Sequence, residues 1–226
     1  MCFTPKISLA TTIIEFFVVA WLYFHYPRTK LMKFFAFLLI FLGLYQFSEF
    51  MLCVSDDIQT WGKFGFLIYT LIPAGSLILV ASLEHFQKKY LLFLIPPLLF
   101  LLFAIFDKNF ITYGVCNTLF VTIRNRFFSY DTNLATTVLY TDYYILYIAL
   151  TCIFLFRKIK KSKSKKENFI YYLMIVTIPL AIVPPLIFII IFPAFYIVFP
   201  SIYCHFAMII TLTAIISLHY ENKIIN

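Results

Sequence analysis

Seven long apolar runs leave this chain few ways to fold. They cover Ser8–Tyr26, Phe34–Cys53, Phe64–Leu83, Tyr90–Phe106, Leu134–Phe156, Phe169–Phe192 and Tyr196–Leu218. A helix needs about 20 mostly apolar residues to cross the hydrocarbon of a bilayer, and each run meets or approaches that length. Strands of a membrane barrel alternate over about 10 residues, and these runs do not alternate. A water-soluble fold would need polar residues to cover so much apolar surface. Only 12% of residues are charged and 63% are apolar, against roughly 25% charged in a soluble domain. The reading is an all-α fold, a polytopic membrane helix bundle with seven transmembrane helices in a single domain over residues 1–226.

The basic residues orient the bundle, because cytoplasmic loops carry an excess of Lys and Arg. With the N-terminus outside and the C-terminus inside, the inner segments hold thirteen of the 18 basic residues and the outer segments five. Seven of the thirteen lie in one inner loop, Arg157–Lys166. Its expected partners are the lipid bilayer and the anionic lipid headgroups at its inner face. Nucleic acid is not an expected partner of so short a loop. The first run carries only Lys6 ahead of it and no small-residue cleavage site after it, so it reads as a retained helix, not a signal peptide.

Ionisable groups at membrane depth are costly and point to function. Glu15 in the first span costs about 3 kcal/mol on insertion scales, which its apolar neighbours outweigh. At about 1.5 Å per residue, Glu15 falls in the outer half of the bilayer, level with Gln46, Ser48 and Glu49 of the second span, Asp142 of the fifth, and Tyr203, Cys204 and His205 of the seventh. Glu15, Gln46, Glu49, Asp142, Tyr203, Cys204 and His205 are therefore the candidate ligand-binding residues, set around a polar cavity. Carboxylate with imidazole suits zinc, non-haem iron or manganese, and equally a proton relay or a polar ligand. Hydrogen bonding between helices is the plain alternative. A second group, His25, Glu84, His85 and His219, falls near inner helix ends, where anchoring at the interface accounts for it.

The chain has no H-E-x-x-H, no Gly-rich phosphate loop and no G-x-S-x-G. The last span has no Lys, which excludes a retinal Schiff base there. Cys2, Cys53 and Cys116 fall on the outer side, so a Cys2–Cys116 or a Cys53–Cys116 bridge would pin the long loop 107–133 to the bundle. Pro179, Pro184 and Pro185 in the sixth span remove backbone donors and mark a hinge, a cavity wall or an ordinary kink.

The start Met1-Cys2-Phe3-Thr4, the pair Gln46 and Glu49 three residues apart, Pro73 followed by Glu84, and Ser201, Tyr203, Cys204 and His205 in the last span form a pattern. It resembles an uncharacterised family of bacterial integral membrane proteins that begin Met-Cys-Phe-Ser. This chain departs at Thr4, at Tyr203 in place of Trp, and at His205 in place of an aromatic residue. The resemblance carries over Cys2, Gln46, Glu49, Glu84 and Cys204, and implies the bacterial inner membrane. It implies no activity. Removal of Met1 would leave Cys2 with an α-amino group and a thiol able to serve as nucleophile, metal ligand or lipid attachment site. The functional expectation is binding or transport of a small molecule or ion. A metal-dependent hydrolase acting on lipid and a membrane sensor are the alternatives.

Overall fold

A computed structural model describes residues 5–83, 85–116, 121–128, 134–191 and 199–225; at 122, 128, 134, 179, 181–191, 199–207, 224 and 225 it describes the backbone alone. Seven α-helices follow in chain order: α1 (Pro5–His25), α2 (Lys30–Val54), α3 (Ile58–Ala81), α4 (Ile95–Phe106), α5 (Leu134–Lys161), α6 (Lys165–Ile191) and α7 (Phe199–Ile225). A 3₁₀ segment, Lys88–Leu94, leads into α4. Among the described residues, five apolar stretches are long enough to cross a membrane: α1, α2, α3, Lys88–Phe106 and Ala135–Lys161 of α5. The chain is therefore a helical membrane protein.

Helix ends follow local chemistry. Thr29 caps α2 by accepting from Met32 N at 3.0 Å, and its hydroxyl donates to Glu221 at 2.8 Å, which ties the end of α7 to the start of α2. Asp57 caps α3 by accepting from Thr60 N at 3.0 Å. The hydrogen bonds from Thr60 hold the Asp57 carboxyl below its usual range. Pro96 and Pro97 open α4, where a missing N–H costs nothing. Pro73 sits inside α3, and the hydroxyl of Tyr143 donates at 2.7 Å to the nearby carbonyl of Thr70. The α6 helix runs unbroken through Pro179, Pro184 and Pro185, whose side chains lie outside the described set.

In the packing, α2 lies between α1 and α3 and also touches α7; α5 packs on α3 and α6; α6 pairs with α7; α4 leans on α3. The helix surfaces invert the soluble pattern. On α1 the buried stripe is Ser8, Thr12, Glu15, Val18 and Leu22, while Ile13, Phe17 and Phe24 face outward. On α4 and α5, Leu99, Phe106, Leu139 and Leu146 do the same. Apolar side chains outside and polar ones inside are what a lipid solvent selects.

Among the described residues, two large clusters make up most of the core. At the basic end, Leu22, Phe34, Phe35, Leu39, Leu155, Met174 and Leu218 interlock. At the opposite end the core is aromatic: Phe66, Phe110, Phe127, Tyr140, Tyr143, Tyr144 and Tyr147.

The long loop adds two short strands to a mostly helical fold. It holds an antiparallel hairpin, β1 (Ile111–Cys116) and β2 (Val121–Asn125), with Ile111 opposite Asn125 and Cys116 opposite Val121. The strands are rich in β-branched residues. The outer edge of β1 is met by Gln59 of α3, which donates to Ile111 O at 2.6 Å and accepts from Ile111 N at 3.3 Å. Gly62 allows that approach, since a Cβ there would lie 2.7 Å from Ile111 Cγ1. Cys53 and Cys116 form a disulfide, the second of the two pairings expected, with Cα atoms 5.3 Å apart. Lys63 donates to Asp107 O at 2.7 Å, and Arg126 pairs with the Asp107 carboxylate at 3.1 Å. Phe110 and Phe127 plug the loop into the aromatic core.

Candidate functional site, a polar seam between α1 and α2

A four-then-three spacing puts Ser8, Thr12 and Glu15 on one face of α1. Spacings of three put Gly43, Gln46 and Glu49 on the facing side of α2. The helices are antiparallel, so the two rows run past each other. Ser8 Oγ donates to Glu49 Oε2 at 3.5 Å. Thr12 Oγ1 donates to Ser8 O at 2.8 Å and lies 3.3 Å from Gly43 O. Gln46 Nε2 donates to Glu15 Oε1 at 3.2 Å. Glu15 is 0% exposed, and Gln46 and Glu49 are each 1% exposed.

Gly43 sets how closely the helices approach. A Cβ there would stand 3.0 Å from Phe16 Cε1 and 3.3 Å from Glu15 Oε2. The two helices are therefore closely packed at Gly43. Two atoms of the seam remain unmatched: Glu15 Oε2 and Gln46 Oε1 have no hydrogen-bond partner among the described residues. With Glu15 ionised both are acceptors, and among the described residues no donor bonds to either.

The fold brings together three of the residues expected at this depth, Glu15, Gln46 and Glu49. Asp142 does not join them. It is exposed on α5, whose inward face belongs to Tyr140, Tyr143, Tyr144 and Tyr147. Tyr203, Cys204 and His205 lie in the first turns of α7, a helix that packs on α1 and α2, but their side chains are outside the described set. Cys2 and Glu84 are outside it too. Cys116 serves in the disulfide with Cys53. Ser8, Thr12 and Gly43 escaped the sequence reading. Their signal was available: small and hydroxyl residues at helical spacing within apolar runs.

A cavity of about 60 Å³ lies elsewhere, among α2, α3, α5, α6 and α7. Phe34, Leu38, Leu42, Ile72, Pro73 and Met174 contribute to its wall. Its hydroxyls bond within the protein: Ser76 to Ile72 O, Thr151 to Tyr147 O, and Thr177 with Thr213 at 2.9 Å. This cavity is apolar, and no seam residue lines it. Around Glu15, Gln46 and Glu49 the described residues form a close polar contact between α1 and α2.

Among the described residues no group of three or more His, Cys, Asp or Glu is gathered to hold a metal. At the basic end, His25, His85 and His219 are exposed. His25 Nδ1 donates to Trp21 O at 2.9 Å, and the ring stacks on that of Trp21, as an interfacial anchor does.

The class that this fold and seam define is a helical membrane protein with two glutamates buried between its first two helices. Comparison with protein-family models, with curated proteins and with solved structures finds no match for this chain.

Proposed function

We propose that the protein is a seven-span integral membrane protein, N-terminus outside and C-terminus inside, that binds or transports a small molecule or ion at the α1–α2 seam. The bacterial inner membrane is its proposed location. Several observations support this arrangement. The α6 and α7 helices are each 27 residues, about 40 Å at 1.5 Å per residue, enough to cross about 30 Å of hydrocarbon. The Cys53–Cys116 bridge lies at the end assigned to the outside, where disulfides persist. The basic loop Arg157–Lys166 then lies inside, against anionic headgroups.

One observation carries the functional reading. Two glutamates are buried at membrane depth, and one of them, Glu15, keeps an oxygen with no hydrogen-bond partner among the described residues. Carboxyl groups so placed are costly and are retained where they handle a proton, an ion or a polar solute.

The test is ligand-dependent stability of purified protein against a panel of inorganic cations, amino acids and sugars. A specific guest at 100 times its Kd stabilises by about 2.7 kcal/mol. The expected outcome is a shift with one class of solute that Glu15→Gln and Glu49→Gln abolish. No shift with any solute, together with variants more stable than the parent, overturns the reading.

A further inference from the structure

We infer that Glu15 and Gln46 form a carboxylic acid–amide pair, in which Glu15 carries a proton on Oε2 and donates it to Gln46 Oε1. The inference rests on the seam being the working site and names its guest as a proton.

A primary amide has one acceptor oxygen and a nitrogen with two donors; an ionised carboxylate has acceptors only. Gln46 Nε2 already donates to Glu15 Oε1 at 3.2 Å. What remains of the pair is Glu15 Oε2 and Gln46 Oε1, two buried acceptors without a donor between them. A carboxyl and an amide joined on one side by N–H···O are completed on the other by O–H···O. One proton on the acid therefore satisfies both orphaned oxygens. An ionised Glu15 would leave a charge at membrane depth with a single hydrogen bond and with a carbonyl dipole left unmatched beside it.

A metal ion fits worse. The Gly43 side of Glu15 Oε2 has no room for a methyl group without crowding Phe16, so it has none for a hydrated ion. The amide N–H already turned toward the carboxyl would oppose a cation there. Three-ligand groups of His, Cys, Asp and Glu are absent among the described residues.

The ionisable neighbours are few. On α2, Glu49 stands three residues beyond Gln46 and is held by Ser8. On α1, Lys6 is exposed near the helix start. On α7, Tyr203, Cys204 and His205 have side chains outside the described set. Other elements packed against α1 bring none to Glu15 among the described residues.

The experiment is infrared spectroscopy of the full chain in lipid bilayers at neutral pH, following the C=O stretch of carboxylic acids and its shift in D₂O. The expected result is an acid band that Glu15→Gln removes and Glu49→Gln leaves in place. The Glu15→Gln variant keeps the shape and a donor toward Gln46, and its fold is checked by circular dichroism. Should it fail to fold, Gln46→Leu serves instead: losing the amide partner must shift the acid band to higher frequency. An absent acid band in the parent overturns the inference, as does a band that ignores both substitutions. Solute-dependent stabilisation without an acid band would retire the proton pair and leave the seam as a binding site. An acid band without any solute response would keep the pair and retire small-molecule binding.

Discussion

The bundle buries polar groups in two regions, and it treats them differently. On α3 and α5, every hydroxyl of the inward tyrosine row Tyr140, Tyr143 and Tyr147 has a partner. Tyr140 OH lies 2.8 Å from Thr70 Oγ1, Tyr143 OH donates to Thr70 O at 2.7 Å, and Tyr147 OH donates to Phe93 O at 3.0 Å. On α1 and α2, the acids and the amide leave two acceptors over. Buried polar groups are nearly always satisfied, so the matched tyrosine row reads as scaffold, and the two acceptors left over in the glutamate seam need an explanation of their own.

The contrast can be broken or sharpened by substitution. The largest effect is expected on the scaffold side. Phe110, fully buried against Phe66 and Phe127, anchors the hairpin loop, and Phe110→Ala should cost about 3–5 kcal/mol in reversible unfolding. Replacing Cys53 and Cys116 together by Ser should cost about 2–4 kcal/mol, read by the same unfolding and by faster proteolysis within 107–133. Neither change should alter the acid band of Glu15, because both act on the scaffold.

Single hydroxyls come next. Tyr143→Phe strips the donor from Thr70 O beside the Pro73 break and should cost about 1 kcal/mol. The smallest effect belongs to Asp57. Its folded carboxyl titrates below its usual range, so the cap contributes above the ordinary Asp pKa of about 4 and is lost as pH falls through the folded value. Asp57→Ala should lower Tm slightly at neutral pH, and the difference should close in acid.

Much of the fold was legible in the chain because lipid imposes a length: runs near 20 residues with basic residues at one end predict helices within a few residues of α1, α2, α3 and α5. That Glu15, Gln46 and Glu49 could meet was legible from their places along the first two runs. Azimuth was not legible: the α5 face that turns inward is set by its four tyrosines, which leaves Asp142 outside. The hairpin was hidden because its strands are short, and because the edge of β1 is completed by Gln59, 52 residues away in sequence. The apolar character of the cavity depends on threonine and serine hydroxyls folding back onto backbone carbonyls, a choice the sequence leaves open.

The central contrast is tested most directly by measuring unfolding free energies of Glu15→Gln and Tyr143→Phe side by side in one mild detergent. An acid–amide pair loses little when the acid becomes an amide, since a donor still faces Gln46. The account predicts a change within about 0.5 kcal/mol, or a gain, for Glu15→Gln, against a loss near 1 kcal/mol for Tyr143→Phe. A loss for Glu15→Gln of about 1.5–3 kcal/mol, the size of a hydrogen bond to a charged group, would show an ionised structural carboxylate and contradict it.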